Sequence, residues 1–216
     1  MSRRRKTRLI RSIAGWVINL RNVYQVMVSA DARYGPVFSA GIAQTVWRRL
    51  REAGYQHHSR AEVVLLGWSG GAQMAAGAAW YLGGAGVRVS LISLGGIFSA
   101  DPGLQRCRSI HHLVGSRDWQ ARWFAPMVFP GRRRLARHSP WARARAEGRV
   151  QERFIGPFKH VGGGSYLSGR RQPDGRTCSR VTSAAVAGVI ADEGWAEPDP
   201  KWDPLHRAGR VHIDGR

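Results

Sequence analysis

Gly67-Trp68-Ser69-Gly70-Gly71 directly follows the apolar run Val63-Val64-Leu65-Leu66 and directly precedes the helix-favouring stretch Ala72 to Leu82. A short apolar run closed by glycine reads as a buried strand, and the small-residue stretch behind it as a helix. The glycines let the backbone turn so tightly that the Ser69 side chain is held above the sheet edge. The Gly70 N–H and the first turn of the helix point at the same space. With 27 glycines in the chain such a pentapeptide also arises by chance, so its weight comes from the strand before it and the helix after it.

The rest of the chain repeats this alternation. Val23 to Ser29 is rich in β-branched and aromatic residues and reads as a strand ending in the turn-prone Ala30 to Pro36. Ile42, Val46, Leu50 and Ala53 recur at helical spacing before Gly54. Further strands are expected over Val87 to Leu94, Ser109 to Val114 and Arg149 to Ile155, with a closing helix from Val181 to Glu193. Strands separated by helical patterns indicate an α/β fold: a mostly parallel sheet with helices on both faces. Ligands of such sheets bind at the carboxyl ends of the strands. Asp31, Ser69, Asp118 and His160 each fall just past an expected strand end.

Composition bounds the partners. The 216 residues suffice for one domain, and 43% hydrophobic residues is ordinary for a globular chain. The formal net charge of +20 is not ordinary, and almost all of it is arginine. Such a field favours anionic partners, among them membrane headgroups, acidic substrates and nucleic acid. Cys107 and Cys178 are too few for a disulfide scaffold or a thiolate zinc site, so a reducing, cytoplasmic compartment is the simpler reading. Residues 1–21 carry Leu9, Ile13, Trp16, Val17 and Leu20 on one helical face with Arg8, Arg11 and Arg21 beside it. This basic amphipathic helix is too short and too charged to span a bilayer. It either packs on the domain over residues 22–194 or attaches to the inner face of a membrane. Residues 195–216, with Pro198, Pro200 and Pro204, read as a tail.

A serine hydroxyl needs a base to take its proton, and the base needs a carboxylate to hold its tautomer. His160 and Asp118 fill these roles by position, while Asp101, from the preceding strand, is the alternative acid. The glycines at 162–164 give the histidine loop freedom to swing the imidazole over Ser69. Gly70 is the expected oxyanion donor, and Trp68, Asp31 and Tyr34 are candidate substrate-binding residues. The histidines and carboxylates lack paired metal-ligand spacing, and Gly83-Gly84-Ala85-Gly86 lacks the lysine of a phosphate-binding loop, so neither metal nor cofactor is expected.

Several of these segments together resemble the α/β-hydrolase superfamily. Asn22 to Pro36 is similar to the N-V-x-Q-V-x-V-S-A-D-x-R-Y-G-P stretch of a bacterial branch. The likeness continues through His112 to Asp118, Phe129-Pro130-Gly131, Ser139-Pro140-Trp141, Gly156 to His160 and Gly164 to Leu167. It covers most of residues 22–167. The resemblance implies Ser69 as nucleophile, Asp118 as acid and His160 as base, and hydrolysis or transfer of an acyl group. The chain departs from the family pattern in one respect. A complete member carries several strands before the serine and a loop among them that supplies the second oxyanion donor. Here one strand is expected before Val63, so the chain reads as short at its N-terminus, through a late start or loss of those strands. Backbone N–H groups of the Ala30 to Gly35 loop are the candidate replacement.

The insertion at 119–148 crowds Arg132, Arg133, Arg134, Arg137, Arg143 and Arg145 among Trp119, Trp123, Phe124, Phe129 and Trp141. It reads as a solvated face anchored by tryptophan, as a lipid-facing cap, or as a single-stranded nucleic-acid surface, the last without any recognised module. Two functions stay open. One is a serine hydrolase acting on a small-molecule or lipid-derived ester or thioester at a membrane surface. The other is a non-catalytic protein of the same fold that binds anionic membrane or nucleic-acid surfaces. Oligomeric state is not legible.

Overall fold

The computed structural model describes residues 24–196 apart from 32, 58, 134 and 135. The basic helix expected over residues 1–21 and the tail from residue 197 lie outside the described residues. Four strands, β1 (Val63–Trp68), β2 (Val89–Leu94), β3 (Cys107–Gly115) and β4 (Val150–Gly156), form one sheet in the order β1-β2-β3-β4. Every neighbouring pair is parallel, so all carboxyl ends share one edge.

Period-two alternation divides the core between two faces. Val63, Leu65, Val89, Leu91 and Ile110 meet α2 (Gly35–Glu52), α3 (Gly71–Gly84) and α5 (Pro140–Ala146) on one side. Val64, Ile92, Leu94, Leu113 and Ile155 meet α6 (Cys178–Asp192) on the other, through Val181, Ala185, Val186 and Val189. The expected α/β architecture with helices on both faces is therefore present. β2 is covered on both faces and wholly buried, and the hydroxyls of its two serines, Ser90 and Ser93, are satisfied by Glu62 and His112. Thr177 caps α6 by accepting the Arg180 N–H at 3.2 Å, so the helix starts three residues before its expected first residue, Val181.

Three expectations are corrected. A strand is expected over Val23 to Ser29, but residues 24–30 are helical and form α1. The buried positions there are Val26 and Ser29, three apart as on a helix face, and this packing overrides the strand preference of the side chains. Among the described residues nothing pairs with the outer edge of β1, where Leu66 is 55% exposed. Trp195 does not trail off with the tail: its ring meets His111 edge-on at 5.7 Å and packs on the α6 side of the core. The insertion is only partly anchored by tryptophan, since Trp141 is buried while Trp119 and Trp123 are 61% and 70% exposed.

The insertion opens with a π-helical turn, Gln120–Phe124, that runs into α4 (Ala125–Val128). No helix among the described residues is long and apolar enough to cross a membrane.

Candidate active site

The backbone at the end of β1 is set by two close approaches. A Cβ on Gly67 would lie 2.6 Å from the Ala72 nitrogen, so only glycine lets α3 start so near the strand. Ser69 then sits at φ 53, the only non-glycine residue with positive φ among those described. Its N–H continues the ladder to Leu94 O at 3.0 Å, and its own carbonyl accepts from Ile97 N at 3.0 Å. The side chain is thereby held over the carboxyl edge of the sheet.

Two other strand ends bring the partners. Ser69 Oγ lies 2.7 Å from His160 Nε2, and His160 Nδ1 lies 2.9 Å from Asp118 Oδ2 and 3.1 Å from Oδ1. Asp118 is completely buried and His160 nearly so. An ionised carboxylate can only accept, so the Nδ1 proton faces Asp118 and the Nε2 lone pair faces the serine hydroxyl. The loop carrying His160 is a closed turn, not a swinging arm. Lys159 N donates to Gly164 O at 3.0 Å, Ser165 N donates to Gly162 O at 3.1 Å, and Gly162 and Gly164 take the positive φ values.

Asp118 is held by more than histidine. Its Oδ1 accepts the Ala121 N–H at 2.9 Å, and its Oδ2 accepts the Tyr166 hydroxyl at 2.7 Å. Tyr166 in turn accepts the Gly115 N–H at 2.8 Å, while Thr182 of α6 donates to its carbonyl at 2.9 Å. Burial by itself pushes the Asp118 carboxyl up. The hydrogen bonds from His160, Ala121 and Tyr166 outweigh it and hold the carboxyl below its ordinary range. Tyr166 is a positioning residue that sequence reasoning missed. Its place in a glycine-rich loop follows no periodic pattern that would have singled it out. Tyr166→Phe should cost about 1.5–3 kcal/mol, because it removes a bond to an ionised group and strands the buried Gly115 N–H; a lower urea midpoint would show it.

The sign of the acid dependence follows from the lowered carboxyl. Asp118 has a lower pKa folded than unfolded, so its contribution to stability is complete above the ordinary carboxylate pKa. That contribution is lost as pH falls through the lower folded value. Unfolding free energy measured against pH should therefore drop in that acid window for the parent, and the drop should be smaller in Asp118→Asn.

The hydroxyl opens into a cavity of about 430 Å³ lined chiefly by Val26, Met27, Trp68, Met74, Ile97, Phe124, Val128, Phe129 and Val161. Helix α1 forms one wall, pressed so closely on the turn that a Cβ on Gly70 would lie 2.2 Å from Val26 Cγ2. Gly70 and Gly71 stand at the start of α3, where backbone N–H groups lack intrahelical acceptors; Gly70 also lines the cavity. Gln25 and Gln120 are the amide-bearing residues among those that line it.

The remaining candidates divide between this cavity and other places. Trp68 lines the cavity, its ring centroid 6.4 Å from that of His160. Asp31 instead borders a second cavity, of about 600 Å³, with Ser29, Asp101 and Gly131. Tyr34 is 64% exposed and lines neither cavity. In the Ala30 to Gly35 loop the described N–H groups of Asp31, Arg33, Tyr34 and Gly35 are already engaged. Arg33 and Tyr34 donate their N–H groups to Asp31 Oδ1, Asp31 N donates to Val28 O, and Gly35 N to Asp31 O. Asp101 is not the acid partner of His160: it accepts from Gln73 Nε2 and Gly103 N, both at 2.8 Å, and burial pushes its carboxyl up.

Compared with protein-family models, curated proteins and solved structures, the chain matches none.

Proposed function

We propose that the chain is a serine hydrolase on an α/β-hydrolase type of fold, cleaving an ester or thioester whose acyl group is apolar. The observation that carries this reading is the unbroken relay Ser69–His160–Asp118, at 2.7 and 2.9 Å, opening into a mostly apolar cavity. His160 Nε2 takes the hydroxyl proton as Ser69 Oγ bonds to the acyl carbon. It then hands that proton to the departing alkoxide or thiolate as the carbon–oxygen or carbon–sulfur bond breaks. Water attacks the acyl-enzyme, gives its proton to His160, and Ser69 Oγ recovers one on release of the acid. Asp118 stabilises the imidazolium in both halves. Gly70 N–H supplies one oxyanion donor, and the Gln25 or Gln120 carboxamide the other, as side-chain amides do in such holes. Exposed Met27, Trp68, Phe124 and Val161 at the cavity mouth support entry of the acyl chain from an apolar phase, such as a membrane surface.

The test is covalent labelling by a serine-directed fluorophosphonate together with burst kinetics on short p-nitrophenyl esters. Stoichiometric labelling and a burst of one equivalent are expected. Absence of labelling in folded protein, across probes of several sizes, would sink the proposal. The engaged N–H groups of Asp31, Arg33, Tyr34 and Gly35 favour one second reading, a non-catalytic binder of the same fold. Labelling of Ser69 without turnover is its signature.

A further inference from the structure

The insertion walls off another cavity, of about 730 Å³, between α4, α5 and the outer edge of β4. The helical segment from Gln120 divides it from the Ser69 cavity: Gln120, Phe124 and Val128 face the serine, whereas Arg122, Trp123 and Met127 face the groove. Five arginines line the groove, Arg122, Arg132, Arg133, Arg145 and Arg153, against one carboxylate, Glu152.

Arg132 is the feature that ordinary surface charge does not explain. It is 8% exposed, and its Nε is buried without a hydrogen-bond partner. One terminal nitrogen donates to Gly96 O at 3.3 Å and the other to His112 Nε2 at 3.2 Å. The second acceptor is a neutral imidazole, since burial and the Arg132 charge hold the His112 pKa well below its ordinary value. Among the described residues no carboxylate makes an ion-pair contact with Arg132, and Glu152, in the same groove, acts on it only through its longer-range charge. Instead its guanidinium lies 4.1 Å from the Phe98 ring centroid and 4.8 Å from that of Trp141. A buried charge without a contacting counter-ion is disfavoured, and a planar guanidinium fork is matched by the oxygens of an oxyanion.

Two further observations define the ligand. Five arginines against one glutamate suit a dianion better than a single carboxylate. Phe154 and Trp123, 68% and 70% exposed, flank Arg122, whose guanidinium stands 5.2 and 5.9 Å from their ring centroids, so the rim offers flat apolar surface. We propose that this groove binds an organic phosphate monoester carrying a flat or apolar group, its phosphate bonded to Arg132 and Arg145 and its apolar part laid on Phe154 and Trp123. The site is separate from the Ser69 cavity and does not depend on the hydrolase reading.

The experiment measures thermal shift and tryptophan fluorescence of the full chain titrated with phenyl phosphate, inorganic phosphate and benzoate. Sedimentation with phosphatidic acid and with phosphatidylcholine vesicles forms the lipid arm. Saturable binding of phenyl phosphate is expected, at least tenfold tighter than benzoate and tighter than inorganic phosphate. Arg132→Met should weaken it tenfold or more, as expected for loss of a charge-assisted hydrogen bond. Arg145→Gln, on the exposed rim, should weaken it severalfold, and it carries the test if Arg132→Met fails to fold. Phosphatidic acid vesicles that bind in an Arg132- and Arg145-dependent way would identify a lipid headgroup as the source. Binding of phenyl phosphate without vesicle binding would identify a soluble one. No saturable response to any phosphate, equal affinity for benzoate, or unchanged affinity in the variants would overturn the proposal.

Discussion

Ser69→Ala is expected to abolish fluorophosphonate labelling and to lower ester hydrolysis by about 10⁶-fold, with the folded state intact. Alanine keeps the backbone of the turn and removes only the oxygen that lies 2.7 Å from His160. Asp118→Asn should be milder, about 10⁴-fold, because the carboxylate orients and stabilises the base without bonding to substrate. The asparagine also meets three donors, His160, Ala121 and Tyr166, with one acceptor oxygen in place of two. Its defect should therefore include a loss of stability that Ser69→Ala lacks. Comparing kcat with urea midpoints for both variants separates the two effects. Hydrolysis that survives in Ser69→Ala would point to another nucleophile.

Gly95→Ala is the second large effect, and it joins stability to activity. Gly95 has φ +51, where an L side chain costs about 1–2 kcal/mol. An added Cβ would stand 2.5 Å from Tyr166 Oη and 2.6 Å from Asp118 Oδ2, both buried and hydrogen-bonded. Forcing these apart adds about 1–3 kcal/mol of overpacking. The melting temperature should fall by roughly 5–15 °C, and hydrolysis should fall with it because Asp118 no longer meets the imidazole squarely. Gly84→Ala is the control: it sits in the last turn of α3, with open space around its Cβ, and should be neutral or slightly stabilising. Equal melting temperatures for the two variants would remove the steric argument.

Much of this arrangement was legible because the reactive side chains lie within four residues of a strand end in a sheet that is wholly parallel. Ser69 follows Trp68, Asp118 follows Gly115 and His160 follows Gly156, so strand direction alone sends them to one edge. Helix α1 was not legible. Tyr24, Val26 and Val28 favour strands locally, and contact with the Ser69 turn makes a helix the better solution. The support of Asp118 by Tyr166 and the close quarters of Gly95 depend on how three loops meet, which no single stretch of sequence encodes. Arg132 likewise reads as one more surface arginine until burial singles it out.

The left-handed backbone at Ser69 also bears on the history of such chains. Glycine would occupy this turn without the penalty that any L side chain incurs there. A lineage that had stopped using the hydroxyl would thus drift towards glycine, since folding alone favours it. Among near relatives, the residue at this turn becomes a gauge of use: serine where the cavity beside it still reacts, glycine where only the scaffold has been kept.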